Sequence, residues 1–182
     1  MLEGKTIRLR PIMEQDLPFL YAAHVEVANR GPYYPTGVSS ESGYRKQYEE
    51  TGFWGKDSGK LVIEDKQSNI VGHIEYFKTL SYLDELEIAY RLYDEKDWGK
   101  DYTSQALTLL VDYLFRHRRE NRIRLVIHPE NKGSIRVAEK CGFSFEGIAR
   151  WIWFLNGRSQ DAAIYALLRP SELLPEPGAT QK

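Results

Sequence analysis

A strand-like run from Glu87 to Tyr93 leads into a loop holding Trp98, Gly99, Lys100, Asp101, Tyr102 and Thr103, and the loop opens a helix at Ser104. That order of elements is one way to hold an anion. The first N–H groups of a helix lack intrahelical partners, and with the helix dipole they concentrate partial positive charge at one point. Gly99 lets the backbone approach a phosphate closely, and Ser104 can cap the helix or bond a phosphate oxygen. The same run also reads as an ordinary strand–turn–helix with a capping serine. On the strand, alternation puts Glu85 and Glu87 on one face and Leu86 and Ile88 on the other.

One strand downstream lies a second run: Asn131, Ser134-Ile135, Glu139-Lys140-Cys141-Gly142-Phe143 and Glu146-Gly147. With the opening Ile7-Arg8-Leu9-Arg10-Pro11 and the closing Asn156-Gly157-Arg158-Ser159-Gln160-Asp161, it resembles the GNAT superfamily of N-acetyltransferases. In particular it resembles the RimJ/RimL-type branch and the similar spermidine acetyltransferases. The resemblance covers most of residues 5–169 and is weakest across 31–60. It implies acetyl-coenzyme A as co-substrate and no metal. It places the loop Trp98 to Thr103 around the pyrophosphate. It sets the pantetheine arm along a splayed strand near Tyr90 and Leu92, and brings Asn131 to that arm and Ser134 near the thioester sulfur. Ser104 and Arg136 complete the expected cofactor site. Two departures stand out. The loop reads Gly99-Lys100-Asp101 where the family has Gly-x-Gly or Gly-x-Ala, so a carboxylate faces the pyrophosphate unless Lys100 or Lys96 offsets it. Ala138 stands where many relatives carry a tyrosine that protonates the leaving thiolate, which leaves Ser134 or water.

An acetyl acceptor of this kind is an amine. With a lysine-like pKa near ~10.4 it is protonated at neutral pH and must lose a proton before attack. Glu87 is the expected base, with Glu75 in reserve and Glu85 after it; each also reads as an exposed strand carboxylate. A backbone N–H near Tyr90 or Arg91 suits the oxyanion. In this fold the N-terminal loops and the last hairpin face the acceptor. They bring Tyr33, Tyr34, Trp54, Trp151, Trp153 and Phe154, an aromatic set that suits a small amine or a peptide or protein N-terminus, or that packs the core. Three functions remain open: an amine acetyltransferase, a transferase of longer acyl groups, and a silent module weakened by Asp101.

The elements that must position these groups follow from periodicity. Strands are expected over 6–10, 60–64, 70–77, 85–92, 122–127, 148–154 and 160–167. Helices are expected from Asp16, over 40–50, 104–116 and 134–140. Asn156-Gly157 marks a hairpin and Gly142 a helix end. The order β-α-α-β-β-β-α-β-α-β-β predicts an α/β (α+β) fold. In it, one mixed, mostly antiparallel, twisted sheet of six or seven strands has helices on both faces. One domain is expected over residues 1–170, with a flexible tail at 171–182.

Bulk properties narrow the classes. Lys+Arg number 25 and Asp+Glu 26, a net charge of -1, so no global field draws nucleic acid. The single cysteine, Cys141, suits a reducing compartment and a buried filler role. No stretch has the ~18 apolar residues of a membrane span, and the N-terminus lacks the apolar core of a signal peptide. The expectation is a cytoplasmic protein with no membrane or nucleic-acid partner, a homodimer being one allowed assembly. His24, His73, His117 and His128 show no metal-ligand spacing.

Overall fold

The computed structural model describes residues 1–34 and 37–171, without the side chains of Ala28 and Asn29. In chain order its elements are β1 (Leu2–Glu3), β2 (Ile7–Pro11), α1 (Leu17–Val25), α2 (Glu41–Thr51), β3 (Ser58–Asp65), β4 (Ile70–Phe77), β5 (Glu85–Leu92), α3 (Tyr102–His117), β6 (Arg122–Ile127), α4 (Lys132–Lys140), β7 (Ser144–Leu155) and β8 (Arg158–Leu168). All eight strands belong to one sheet, ordered β1-β2-β3-β4-β5-β6-β8-β7. The count exceeds the expected six or seven by β1. At two residues, paired Leu2↔Leu9 and Glu3↔Arg8, β1 is too short for alternation to reveal. The predicted tail, apart from Ser171, lies outside the described residues.

Alternation along β3 shows why helices cover both faces. Leu61 and Ile63 enter one core cluster with Leu107, Leu110 and Leu114 of α3. Val62 between them enters another with Leu17 and Leu20 of α1 and Tyr44 of α2. Successive side chains of a strand point to opposite faces, so one strand can serve two cores. Local chemistry sets the ends of the elements. The Ser40 hydroxyl accepts from the Gly43 N–H at 3.1 Å and caps α2, which stops at left-handed Gly52. The β7–β8 hairpin turns on Asn156 and Gly157, both at positive φ (51° and 74°), as a two-residue primed turn needs.

Two features matter for the site. The only parallel pairing among the described residues, β5 with β6, runs over Glu85↔Arg122, Leu86↔Ile123 and Glu87↔Arg124. Beyond it β5 stays on β4 as far as Leu92, while β6 stays on β8 as far as Ile127. The sheet therefore forks. At its far edge β7 pairs with β8 through a ladder broken at Phe145/Gly147 and again at Ala149/Trp153. Trp151, in the second break, has φ 54° and donates its N–H to the Asp161 carboxylate at 3.0 Å.

The entry to α1 is fixed by a buried cation. Arg10, 7% exposed, forks onto Asp16 at 2.7 and 3.0 Å and reaches Glu64 on β3 at 3.2 Å. Asp16 also accepts the Met13 N–H at 2.8 Å. Burial pushes the Asp16 carboxyl up. The Arg10 bonds, the Met13 N–H and the Arg10 charge outweigh it and hold the group below its ordinary value. A carboxyl depressed on folding adds stability above its unfolded pKa and loses it as pH falls through the folded one. Asp16→Asn leaves Arg10 short of a buried partner and is expected to cost about 3 kcal/mol at neutral pH. In urea titrations the variant's stability should also fall less than wild type's as pH drops through that acidic window.

Candidate active site

The fork opens between two cavities. One, of about 510 Å³, is lined by His24, Tyr34, Glu75, Glu87, His128 and Trp153 among others. The second, of about 670 Å³, runs past Leu92, Trp98, Gly99, Thr103, Gly133 and Arg136. Arg30, Tyr33, Tyr34, Tyr90, Asn131 and Ser134 line both, so they stand at the neck where the cavities meet. A cleft of about 200 Å³ extends the second cavity over the start of α3, between Asp101, Tyr102, Ser104, Arg136 and Lys140.

The α3 terminus has the shape of an anion seat. Gly99 (φ 74°) and Asp101 (φ 66°, ψ 8°) are both left-handed, so the loop coils back before the helix begins. Asp101 sits at the N-cap position, yet its side chain makes no cap bond. It accepts from Lys140 Nζ of α4 at 2.6 Å. That bond holds the carboxyl below its usual range despite partial burial. The cation offsetting Asp101 is therefore Lys140, not Lys100 or Lys96. Lys100 pairs with Asp97 at 2.9 Å and Lys96 with Asp94 at 2.8 Å. Arg136, one turn before Lys140, lines both the cleft and the second cavity and makes no ion pair among the described residues. Ser104 is buried, lines the cleft, and its carbonyl accepts from the Cys141 thiol at 3.5 Å.

At the neck, Asn131 Oδ1 accepts the Ser134 N–H at 3.0 Å and caps α4. The serine is thereby fixed in the first turn, and the asparagine's amide nitrogen is left as its donor. The Tyr90 hydroxyl, from β5 past the fork, lies 2.7 Å from Ser134 Oγ. Ala138, one turn further along α4, is fully buried.

The carboxylates are paired, a feature missed in the sequence. Glu87 accepts from Arg124 of β6 at 3.0 and 2.9 Å. Glu85 accepts from Arg122, and from Arg124 at 3.0 Å; it is buried and lines neither cavity. Burial raises the Glu87 carboxyl above its ordinary value, and Arg124 only partly counters it. Glu75 pairs with Lys60 at 2.8 Å. Beside it, His73 is buried between hydroxyls, Nδ1 lying 2.8 Å from Tyr93 and Nε2 3.4 Å from Tyr34. Burial, then the Lys60 and Arg91 charges, hold it well below its ordinary pKa, so it stays neutral.

The aromatic candidates separate. Tyr34 and Trp153 line the first cavity, and Tyr33 stacks on His128 at 4.6 Å. Trp151, 79% exposed, instead faces a different cavity of about 540 Å³ shared with Tyr33 and His128. Trp54 lines neither side of the fork. It packs edge-on against Tyr76 and Tyr113 at 5.4 and 6.1 Å, inside the α3 core. A bridge to Gly59 holds it there, where a Cβ would come within 2.6 Å of the indole. Its expected place at the acceptor is therefore corrected to a structural one.

Among the described residues no cluster of three His, Cys, Asp or Glu side chains could hold a metal ion, and no helix is long and apolar enough to cross a membrane.

A family model described as "Acetyltransferase (GNAT) domain" matches residues 6–144. The chain is 30% identical over 185 residues to the probable N-acetyltransferase YjcK of Bacillus subtilis, across 94% of this chain and 99% of that protein. It is 27% identical over 140 residues to the ribosomal-protein-serine acetyltransferase of Escherichia coli, across 76% and 78%. The fold matches spermidine N-acetyltransferase of Vibrio cholerae, crystallised with CoA and spermine, at a TM-score of 0.78 and 23% identity over 91% and 97% of the two chains.

The Glu87–Arg124 pair gives a direct test of the cleft's electrostatics. Burial pushes this carboxyl up and Arg124 pulls it down, so Arg124→Met should move its pKa further upward. Carboxyl-carbon NMR titration of wild type and variant reads the sign, and a downward move contradicts it.

Proposed function

The chain belongs to the GNAT acetyltransferase family, and from that premise we propose that it moves an acetyl group from acetyl-coenzyme A to a primary amine at the neck of the forked sheet. The observation that supports this most is the meeting of two cavities at one hydroxyl pair, with an anion seat at the far end of only one of them. The two ends differ in the way the two substrates do. A nucleotide thioester needs cations and free helix N–H groups at its phosphates and a narrow apolar-walled groove for its arm. Arg136, the left-handed loop and the Leu92 and Val137 walls fit that need. An amine needs a proton acceptor, and Glu87 and Glu75 both line the first cavity.

Acetyl-coenzyme A supplies a thioester carbonyl, activated toward attack. The rest falls to this chain's side chains. The edge of β5 freed at the fork offers main-chain hydrogen bonds to the arm, and Asn131 adds its amide. Glu87 takes the proton of the acceptor ammonium, directly or through water. Its raised pKa brings it nearer the working range of a general base than an exposed carboxylate. Glu75, which lines the same cavity and pairs with Lys60, is the reserve candidate. Ser134 gives a proton to the departing sulfur. The acceptor is a small amine or a peptide or protein N-terminus, held among Tyr33, Tyr34 and Trp153. The case for a silent module weakens, because the carboxylate that suggested it is neutralised by Lys140.

Free coenzyme A release over a panel of small amines and peptides tests the activity. Acetyl-coenzyme A at ~100 times its dissociation constant should stabilise the fold by about 2.7 kcal/mol, and an unchanged melting temperature at millimolar ligand refutes binding. Asp101→Gly replaces a left-handed residue by the one that tolerates that conformation best and releases Lys140 toward the phosphates. Calorimetry should show tighter acetyl-coenzyme A binding with no loss of melting temperature. Glu87→Gln should lower kcat by ~10²-fold and leave that affinity within about twofold.

A further inference from the structure

We propose that the Tyr90 hydroxyl positions Ser134 for protonation of the departing sulfur, donating to Ser134 Oγ so that the serine's own proton points into the neck. This rests on the acetyl-transfer reading above. A serine hydroxyl rotates freely and has one proton to give. If Ser134 spent that proton on a neighbouring carbonyl, it would face the sulfur with lone pairs. The structure supplies the donor that prevents this. Tyr90 Oη lies 2.7 Å from Ser134 Oγ, against 3.4 Å from the Ser134 carbonyl oxygen, so the hydroxyl is the better acceptor. The ring comes from β5 just beyond the last β5–β6 pair, where the fork leaves room for a side chain to cross to α4. Both residues line both cavities. One turn along α4, Ala138 has no hydroxyl and is buried, so the phenol at this neck reaches it from the strand rather than the helix. Burial raises the Tyr90 pKa above its ordinary value, which keeps the phenol protonated, as a donor must be.

The step balances. The acceptor nitrogen has added to the carbonyl carbon when the carbon–sulfur bond breaks and its electron pair goes to sulfur. Ser134 gives its proton to that sulfur and takes the Tyr90 proton, and Tyr90 regains one from solvent. Glu87 first passes the ammonium proton to solvent, then takes the second proton that nitrogen sheds on becoming an amide and passes it to solvent likewise. The products are an amide and a thiol, with every side chain restored.

Tyr90→Phe keeps the ring and removes the donor. Its kcat should fall about tenfold or more, the scale of one hydrogen bond, while KM and the calorimetric Kd for acetyl-coenzyme A stay within about twofold. In a double-mutant cycle with Ser134→Ala, the double variant should be no slower than Ser134→Ala alone, because the two hydroxyls act as one unit. A full wild-type kcat in Tyr90→Phe, or losses that multiply, overturns the proposal. A second readout needs no turnover. With 3-fluorotyrosine placed at position 90 of the ligand-free protein, the fluorine resonance and its titration midpoint should move on Ser134→Ala; an unmoved signal overturns the coupling. A wild type that acetylates no amine overturns the acetyl-transfer reading and the catalytic claim together. An active wild type indifferent to Tyr90→Phe overturns this claim alone.

Discussion

Among the described residues three pairs join the two halves of the sheet, and the site exists because the pairing stops there. β1 to β5 and β6 to β7 meet only along Glu85↔Arg122, Leu86↔Ile123 and Glu87↔Arg124. On one face Leu86 and Ile123 are each 1% exposed in the main core, where burying such side chains contributes roughly 1.5–3 kcal/mol apiece. On the other face two carboxylates and two guanidiniums form a continuous ladder. Removing one member of a half-buried pair strands the charge opposite, so the seam resists piecemeal loss. It also stops abruptly. Beyond it each strand follows its outer neighbour, and the wedge is the space between those two commitments. Glu87, at the last rung, belongs both to the seam and to the cavity.

That double role explains how much of the molecule was legible in the chain. Elements with clean periods were read closely: β5 and β6 have the expected bounds, and the Asn156-Gly157 turn adopts the expected dihedral pair. α3 and α4 each begin two residues earlier than Ser104 and Ser134 suggested. First-turn residues need no apolar contact, so periodicity is silent about them. Ser134 lines both cavities and Glu87 the first, and the side chains paired with each are not evident from the sequence. Arg122 and Arg124 share the period-2 spacing of Glu85 and Glu87, a signal present in the chain. Only strand register, which is a tertiary fact, puts one pair against the other. Trp54 packs in the α3 core for a related, tertiary reason. An aromatic in a glycine-rich loop looks like a binding residue until the loop is seen folding under α3.

The loop before α3 shows a local rule broken and compensated. Asp101 occupies a left-handed position that favours glycine and presents a carboxylate where an anion is expected to sit. Lys140, 39 positions along the chain, closes onto it. The pair ties the start of α3 to the end of α4, the helix that bears Ser134. What reads in the sequence as an obstacle to phosphate is, in the fold, a carboxylate whose charge an exposed lysine of α4 offsets.

The broken ladder of β7 has a bearing on the life of this protein at high concentration. β7 is the outermost strand, twelve residues long, with Phe145, Ile148, Trp151, Ile152 and Phe154 exposed. A straight, apolar edge of that length offers unpaired N–H and C=O groups as a template for another chain. Two irregularities, and a left-handed Trp151 whose amide is already taken by Asp161, cut the edge into short pieces. No incoming strand can match all the pieces in one register, since bulges bend and twist the backbone out of line. The same distortion that aims Trp151 outward thus guards the molecule against stacking edge to edge with its copies.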